Sequence, residues 1–229
     1  MTDKIMLVED DFRLRETLER WLIEAGFEVV SVGDGALVVD LFKETKPSLV
    51  LMDIQLPGRS GIELVSDIRE FSGTPIIMVT ARSEAEDMEE AFRAGADDYF
   101  EKSPWQPEKL MVRIKNSLKP PKIVVEDATT TLAIGPLTLD IVGHEVRRGE
   151  EKIALTPLEF KLLATLAQFP KRVFRREDLL KDVWEYQNMG DTRLVNVHIQ
   201  RLRSKIEDDP DDPKIVLTVR GVGYKAGLN

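Results

Sequence analysis

The chain contains no cysteine, which excludes disulfides and thiolate metal sites and agrees with a reducing cytoplasm. Its only histidines are His144 and His198, so a histidine-built metal centre is a poor reading of either. No run approaches the roughly 18 consecutive apolar residues of a membrane span. The opening MTDKIMLVEDD also lacks a cationic segment followed by an apolar one, so no secretory signal is expected. These absences predict a cytoplasmic chain with no membrane partner. Excess basic charge is missing too, since the net charge is −9, and taken whole this argues against a nucleic-acid binder.

That last exclusion dissolves when the charge is divided at the Pro120-Pro121 pair. Residues 1–119 hold 15 Lys and Arg against 24 Asp and Glu, whereas residues 120–229 hold 17 of each. Within the neutral half, Arg193, Arg201, Arg203 and Lys205 precede Asp208, Asp209, Asp211 and Asp212. A local basic face can bind nucleic acid although the whole chain is acidic. Length and the proline break together predict two domains, 1–118 and 130–229, joined by a polar, proline-bearing linker at 119–129.

In the first domain, short apolar runs at Lys4–Val8, Glu28–Val32, Leu49–Met52, Pro75–Val79 and Asp97–Phe100 alternate with amphipathic stretches. The stretches Phe12–Ala25, Gly35–Thr45, Ile62–Phe71, Ala85–Ala94 and Pro104–Leu118 read as helices. Such alternation predicts an α/β fold, a doubly wound parallel sheet of five strands. In the second domain a small β region around HEVRR and KIALT precedes three helical stretches, PLEFKLLATLAQ, RREDLLKDVW and DTRLVNVHIQRLRSKI. The closing IVLTVRGVGYKAG reads as a hairpin around Gly221 and Gly223. A winged helix-turn-helix is expected.

The apolar runs of the first domain end in polar residues: Glu9, Asp10, Asp11, Asp53, Thr80 and Lys102. In an open parallel sheet the carboxyl ends of the strands line the ligand crevice, so these groups are expected to converge. A carboxylate can attack phosphorus to form an acyl phosphate. Two anions must then meet, which calls for a divalent cation and fixed positive groups. Mg²⁺ suits Asp10, Asp53 and the backbone carbonyl of Gln55, with Glu9 acting through water. Lys102 and Thr80 match the phosphoryl oxygens, and Asp53 is the expected acceptor. A plain polar strand end accounts for any one of these residues, but not for the joint placement.

On the last helical stretch Val195, Ile199, Leu202 and Ile206 recur at helical spacing and predict a buried stripe. Arg193, Asn196, Val197, Gln200, Arg201 and Ser204 share the opposing face. They offer a guanidinium for guanine, amides for adenine and a methyl contact for thymine, as a recognition helix in the major groove would. Arg220, beside Gly221 on the hairpin, suits the narrow minor groove.

With these residues in view, 1–118 resembles a response-regulator receiver domain and 130–227 the winged-helix effector of the OmpR/PhoB family. The stretch from DTRLVNVHIQRLRSKI to the end is similar to MtrA-like members. The resemblance implies that a partner histidine kinase phosphorylates Asp53, that Thr80 moves toward the phosphoryl group and that Tyr99 turns inward behind it. Val197 and Arg201 become base readers, with Arg193, His198 and Arg203 nearer phosphates. It further implies a homodimer on promoter DNA and a loop at Glu185–Gly190 placed to touch RNA polymerase. The chain departs from the family in two places. Ser103 separates Lys102 from Pro104, where the family has proline directly. Of the usual charge pairs on the dimer face, Asp98 with Arg113 survives, while Arg93 faces Lys115. Competing readings are an aspartyl-phosphate phosphatase, against which Gln55 stands where a second acid is needed, and a regulator whose receiver works without phosphorylation.

Overall fold

The computed structural model describes residues 2–81, 85–119, 130–185 and 192–227. They divide into two compact units, Met1–Lys119 and Pro120–Asn229. Of the expected linker only Lys119 is among the described residues.

The first unit alternates strands β1 (Lys4–Val8), β2 (Glu28–Val32), β3 (Leu49–Met52), β4 (Ile76–Thr80) and β5 (Asp98–Glu101) with five helices. These are α1 (Phe12–Glu24), α2 (Val38–Thr45), α3 (Gly61–Arg69), α4 (Ala85–Ala94) and α5 (Pro107–Leu118). The strands are all parallel, in the order β2-β1-β3-β4-β5. Every residue of β3 and β4 is buried, because helices cover both faces, and this is why those strands read as unbroken apolar runs. Ile5, Leu7, Leu51 and Val79 pack with Leu18 and Leu22 of α1 and Leu110 and Ile114 of α5 in one core. The strand order reverses direction between β1 and β3, which places the ligand crevice at their carboxyl ends.

Two expected boundaries shift for local reasons. Gly35–Leu37 is a 3-10 turn ahead of α2, started by the Asp34 side chain accepting from the Ala36 N–H. Helix α5 starts at Pro107, not at Pro104. A residue before proline is pushed out of the helical region, and Gln106 sits at φ −134°, ψ 74°. The Ser103–Pro104 peptide is cis. The start of α3 is fixed by a capping box between Ser60 and Glu63. A Cβ on Gly61 would lie 1.9 Å from the Asp53 carbonyl oxygen, so the glycine lets α3 begin directly against the end of β3.

The second unit opens with an antiparallel sheet of β6 (Thr131–Ile134), β7 (Leu137–Asp140), β8 (Glu145–Arg148) and β9 (Glu151–Ile153). Helix α6 (Pro157–Gln168) leads into a short strand, β10 (Phe174–Arg175), followed by α7 (Arg176–Trp184) and α8 (Arg193–Ile206). The closing hairpin is β11 (Val216–Val219) and β12 (Gly223–Ala226), and β10 joins it as a third strand by pairing with β12. That third strand was not expected, because two residues are too few to show an alternating pattern in sequence. A Cβ on Gly223 would meet the Phe174 carbonyl at 1.9 Å, so that glycine lets the two strands approach.

Candidate functional site

Strands β1 and β3 end side by side, with the Asp53 N–H donating to the Val8 carbonyl at 2.9 Å. The residues just past both strands therefore share one pocket. Glu9, Asp10 and Asp53 each bring a carboxylate oxygen to within 4.8 Å of the other two. Glu9 and Asp53 are buried, while Asp10 is exposed. Lys102 follows β5, its N–H donating to the Thr80 carbonyl at 2.8 Å. Its Nζ donates to Glu9 Oε2 at 2.6 Å and to Asp53 Oδ2 at 2.5 Å, so Ser103 leaves the ammonium in the pocket. Burial lifts the Glu9 carboxyl above its ordinary value; the hydrogen bond and charge of Lys102 oppose this, and the Asp53 charge adds to it.

Asp53 Oδ1 accepts from the Gln55 N–H at 3.3 Å. Thr80 is buried at the end of β4 and joins the pocket through its carbonyl bond to Lys102. Tyr99 is also buried, its ring edge-on to Phe92 with centroids 6.4 Å apart. Asp98 and Arg113 pair with each other within the chain at 2.6 Å. The cluster offers hard oxygen donors, which fits Mg²⁺ and does not fit a thiophilic ion.

In the second unit, Val195, Ile199, Leu202 and Ile206 form the buried stripe of α8. Arg193, Asn196, Gln200 and Ser204 are exposed, with Val197 and Arg201 half-buried. Arg220 is exposed at the hairpin tip, beside Gly221 at φ 73°. Two expected phosphate contacts need correcting. His198 is fully buried, with its ring 5.3 Å from that of Trp184, and so presents no surface to DNA. Arg203 is buried as well; its Nε and Nη2 donate to the Val216 carbonyl at 3.0 and 2.6 Å, and Nη2 also to Thr218 Oγ1 at 2.8 Å. It ties α8 to β11. The lost hydration of the Arg203 guanidinium is offset by these bonds.

Sequence reasoning missed the residues that hold α8 in place. Glu159 is fully buried and accepts from the Thr156 N–H at 2.9 Å and from Lys205 Nζ at 2.6 Å; Arg201 Nη2 lies 3.4 Å from its other oxygen. Asn196 Oδ1 accepts from Arg176 Nε at 2.7 Å and from the Tyr224 hydroxyl at 2.9 Å. A glutamate three positions after Thr156 signals a capping box, but nothing in the sequence says that it also carries two cations of another helix.

Residues 5–115 match the family described as response regulator receiver domain, and residues 149–226 match the one described as transcriptional regulatory protein, C terminal. A DNA-binding response regulator MtrA of Mycolicibacterium smegmatis is 45% identical over 227 residues, covering 99% of this chain and 98% of that protein. This chain is an OmpR/PhoB-family response regulator. The MtrA of Mycobacterium leprae is 44% identical at 99% coverage of both. Among solved structures, a mutant of RitR aligns with a TM-score of 0.77 at 29% identity, covering 99% of this chain and 100% of that one. Response regulator DrrB, an OmpR/PhoB homologue of Thermotoga maritima, aligns at 0.52 and 32% identity over 100% of both. As a DNA-binding response regulator, the chain serves two-component transcription regulation. Its receiver implies a histidine kinase partner and its effector domain implies DNA. No helix among the described residues is long and apolar enough to cross a membrane.

Proposed function

We propose that the regulator takes a phosphoryl group on Asp53 from a kinase histidine and then binds promoter DNA as a homodimer in the cytoplasm. The observation that carries this reading is Lys102 bridging the Glu9 and Asp53 carboxylates. In the transfer, an Asp53 carboxylate oxygen forms the new P–O bond, the P–N bond to the kinase breaks, and the imidazole leaves. Glu9, Asp10, Asp53 and the Gln55 carbonyl would hold Mg²⁺, which when bound neutralises charge on the transferring phosphoryl. Lys102 exchanges its bond to Asp53 for a phosphoryl oxygen, and the Thr80 hydroxyl takes another. Tyr99, behind Thr80, completes the switch. Water later attacks the acyl phosphate, returning free Asp53 and inorganic phosphate, so turnover is self-limited.

At DNA, Val197, Gln200 and Arg201 face base edges, and Asn196 does so with its Oδ1 already engaged. Arg193 and Arg220 lie toward the backbone and the minor groove. Contact with RNA polymerase is assigned to 185–190, of which only Glu185 is among the described residues. Dimerisation is assigned to the face carrying Asp98 and Arg113.

The test is the light-scattering mass of the full chain with and without beryllofluoride and Mg²⁺. Wild type is expected to pass from monomer to dimer and Asp53→Asn to remain monomeric. Equal masses in wild type, with binding of the mimic confirmed, would overturn the phosphorylation switch. They would favour a receiver that acts by protein contact alone.

A further inference from the structure

At the end of β1 the sheet stops supplying hydrogen-bond partners. The last rung toward β2 is the Glu9 N–H donating to the Val32 carbonyl at 3.0 Å, after which the chain turns into α1. The carbonyls of Glu9, which is buried, and of Asp10, which is exposed, lie past that rung and take a side-chain donor instead. Both find the same one. Arg15 Nη1 donates to the Glu9 carbonyl at 2.5 Å and to the Asp10 carbonyl at 3.1 Å.

These two carbonyls belong to the peptide planes on either side of Asp10. Holding both planes fixes the backbone rotations of Asp10, and with them the direction in which its side chain leaves the chain. Asp10 is the exposed member of the acidic cluster. Lys102 bonds to the other two carboxylates and not to this one. The Arg15 backbone is anchored in the first turn of α1, where its N–H donates to the Asp11 carbonyl at 2.8 Å. Asp11 caps that turn, accepting from the Arg13 and Leu14 N–H groups.

The guanidinium occupies space that only a glycine leaves. A Cβ on Gly33 would lie 2.4 Å from Arg15 Nη1, 3.0 Å from Cζ and 3.2 Å from the Glu9 carbonyl oxygen. Gly33 is not among the residues of positive φ, so its backbone would accept alanine. It is small for the sake of the arginine.

We propose that Arg15 is a positioning residue of the acidic pocket, clamping the Glu9 and Asp10 carbonyls so that the carboxylates present one cation site, and that Gly33 exists to admit it. The inference rests on reading the pocket as the Mg²⁺ site. Outer-shell partners that orient metal ligands are worth about tenfold or more in affinity.

Calorimetric titration of the full chain with Mg²⁺ tests this. Arg15→Ala and Gly33→Ala should each raise the Kd about tenfold. Gly33→Ala retains every charge, so its effect reports geometry alone. With the guanidinium gone a Gly33 Cβ still meets the Glu9 carbonyl oxygen at 3.2 Å, so the extra loss in the double variant over Arg15→Ala should fall well below the loss from Gly33→Ala alone. A purely structural role would lower the melting temperature without Mg²⁺ and leave the Kd unchanged. A wild-type Kd in either single variant, or losses that multiply in the double, overturns the clamp. If wild type itself fails to bind Mg²⁺, the cation reading falls and the clamp with it; if wild type binds and the variants match it, only the clamp falls.

Discussion

Arg193 and Arg203 sit on one helix with the same guanidinium and opposite surroundings. Arg193 is exposed at the start of α8, whereas Arg203 spends its donors on β11. Desolvation holds the Arg203 guanidinium below its ordinary value, opposed by the charges of Tyr224 and Glu207. In sequence both were simply arginines of a basic helix. Arg203→Ala is expected to cost about 1.5–3 kcal/mol in urea unfolding, the range for bonds to a charged group, and to leave the salt dependence of DNA binding unchanged. Arg193→Ala should reduce the slope of log K against log salt by about 0.9, the contribution of one phosphate contact. A reduced slope for Arg203→Ala would return it to the phosphate contacts.

Among the elements, α6 and α8 show how far local signals reach. Helix α6 was legible in PLEFKLLATLAQ, with Thr156 as its cap and Pro157 at its first position, and the structure adds Glu159 as the third-position partner of a capping box. The same glutamate then receives Lys205 and Arg201 from α8. Replacing Thr156 by alanine removes one cap bond and is expected to lower stability by about 1 kcal/mol, read as a lower urea midpoint with an unchanged slope. The apolar stripe of α8 was legible from spacing alone. That His198 and Arg203 also turn inward was not, because their partners, Trp184 and Val216, come from other elements.

For the molecule as a whole, the charge is split between an acidic receiver unit and a neutral effector unit, and the dimer face proposed for the receiver is depleted of complementary pairs. Asp98 and Arg113 already satisfy each other within the chain, and Arg93 pairs along its own helix with Glu89 at 2.5 Å. Exposed pairs contribute only about 0–1 kcal/mol each, but like charges across an interface penalise association. Arg93→Glu, placed opposite Lys115 of a second copy, should tighten dimerisation of the beryllofluoride-bound chain by light scattering. An unchanged dimer constant would remove this face from the interface.

The alternation of strands and helices in the first unit and the polar residues at its strand ends were legible in sequence, because burial on both faces of a parallel sheet writes itself as apolar runs with polar stops. The tertiary structure alone decided which charges act on one another. Lys205 meets Glu159 across 46 positions of chain, Arg203 turns to β11, and Gly33 makes room for Arg15. Such pairings depend on where separate elements come to rest, and a pattern read along one element at a time holds no information about the distance to another.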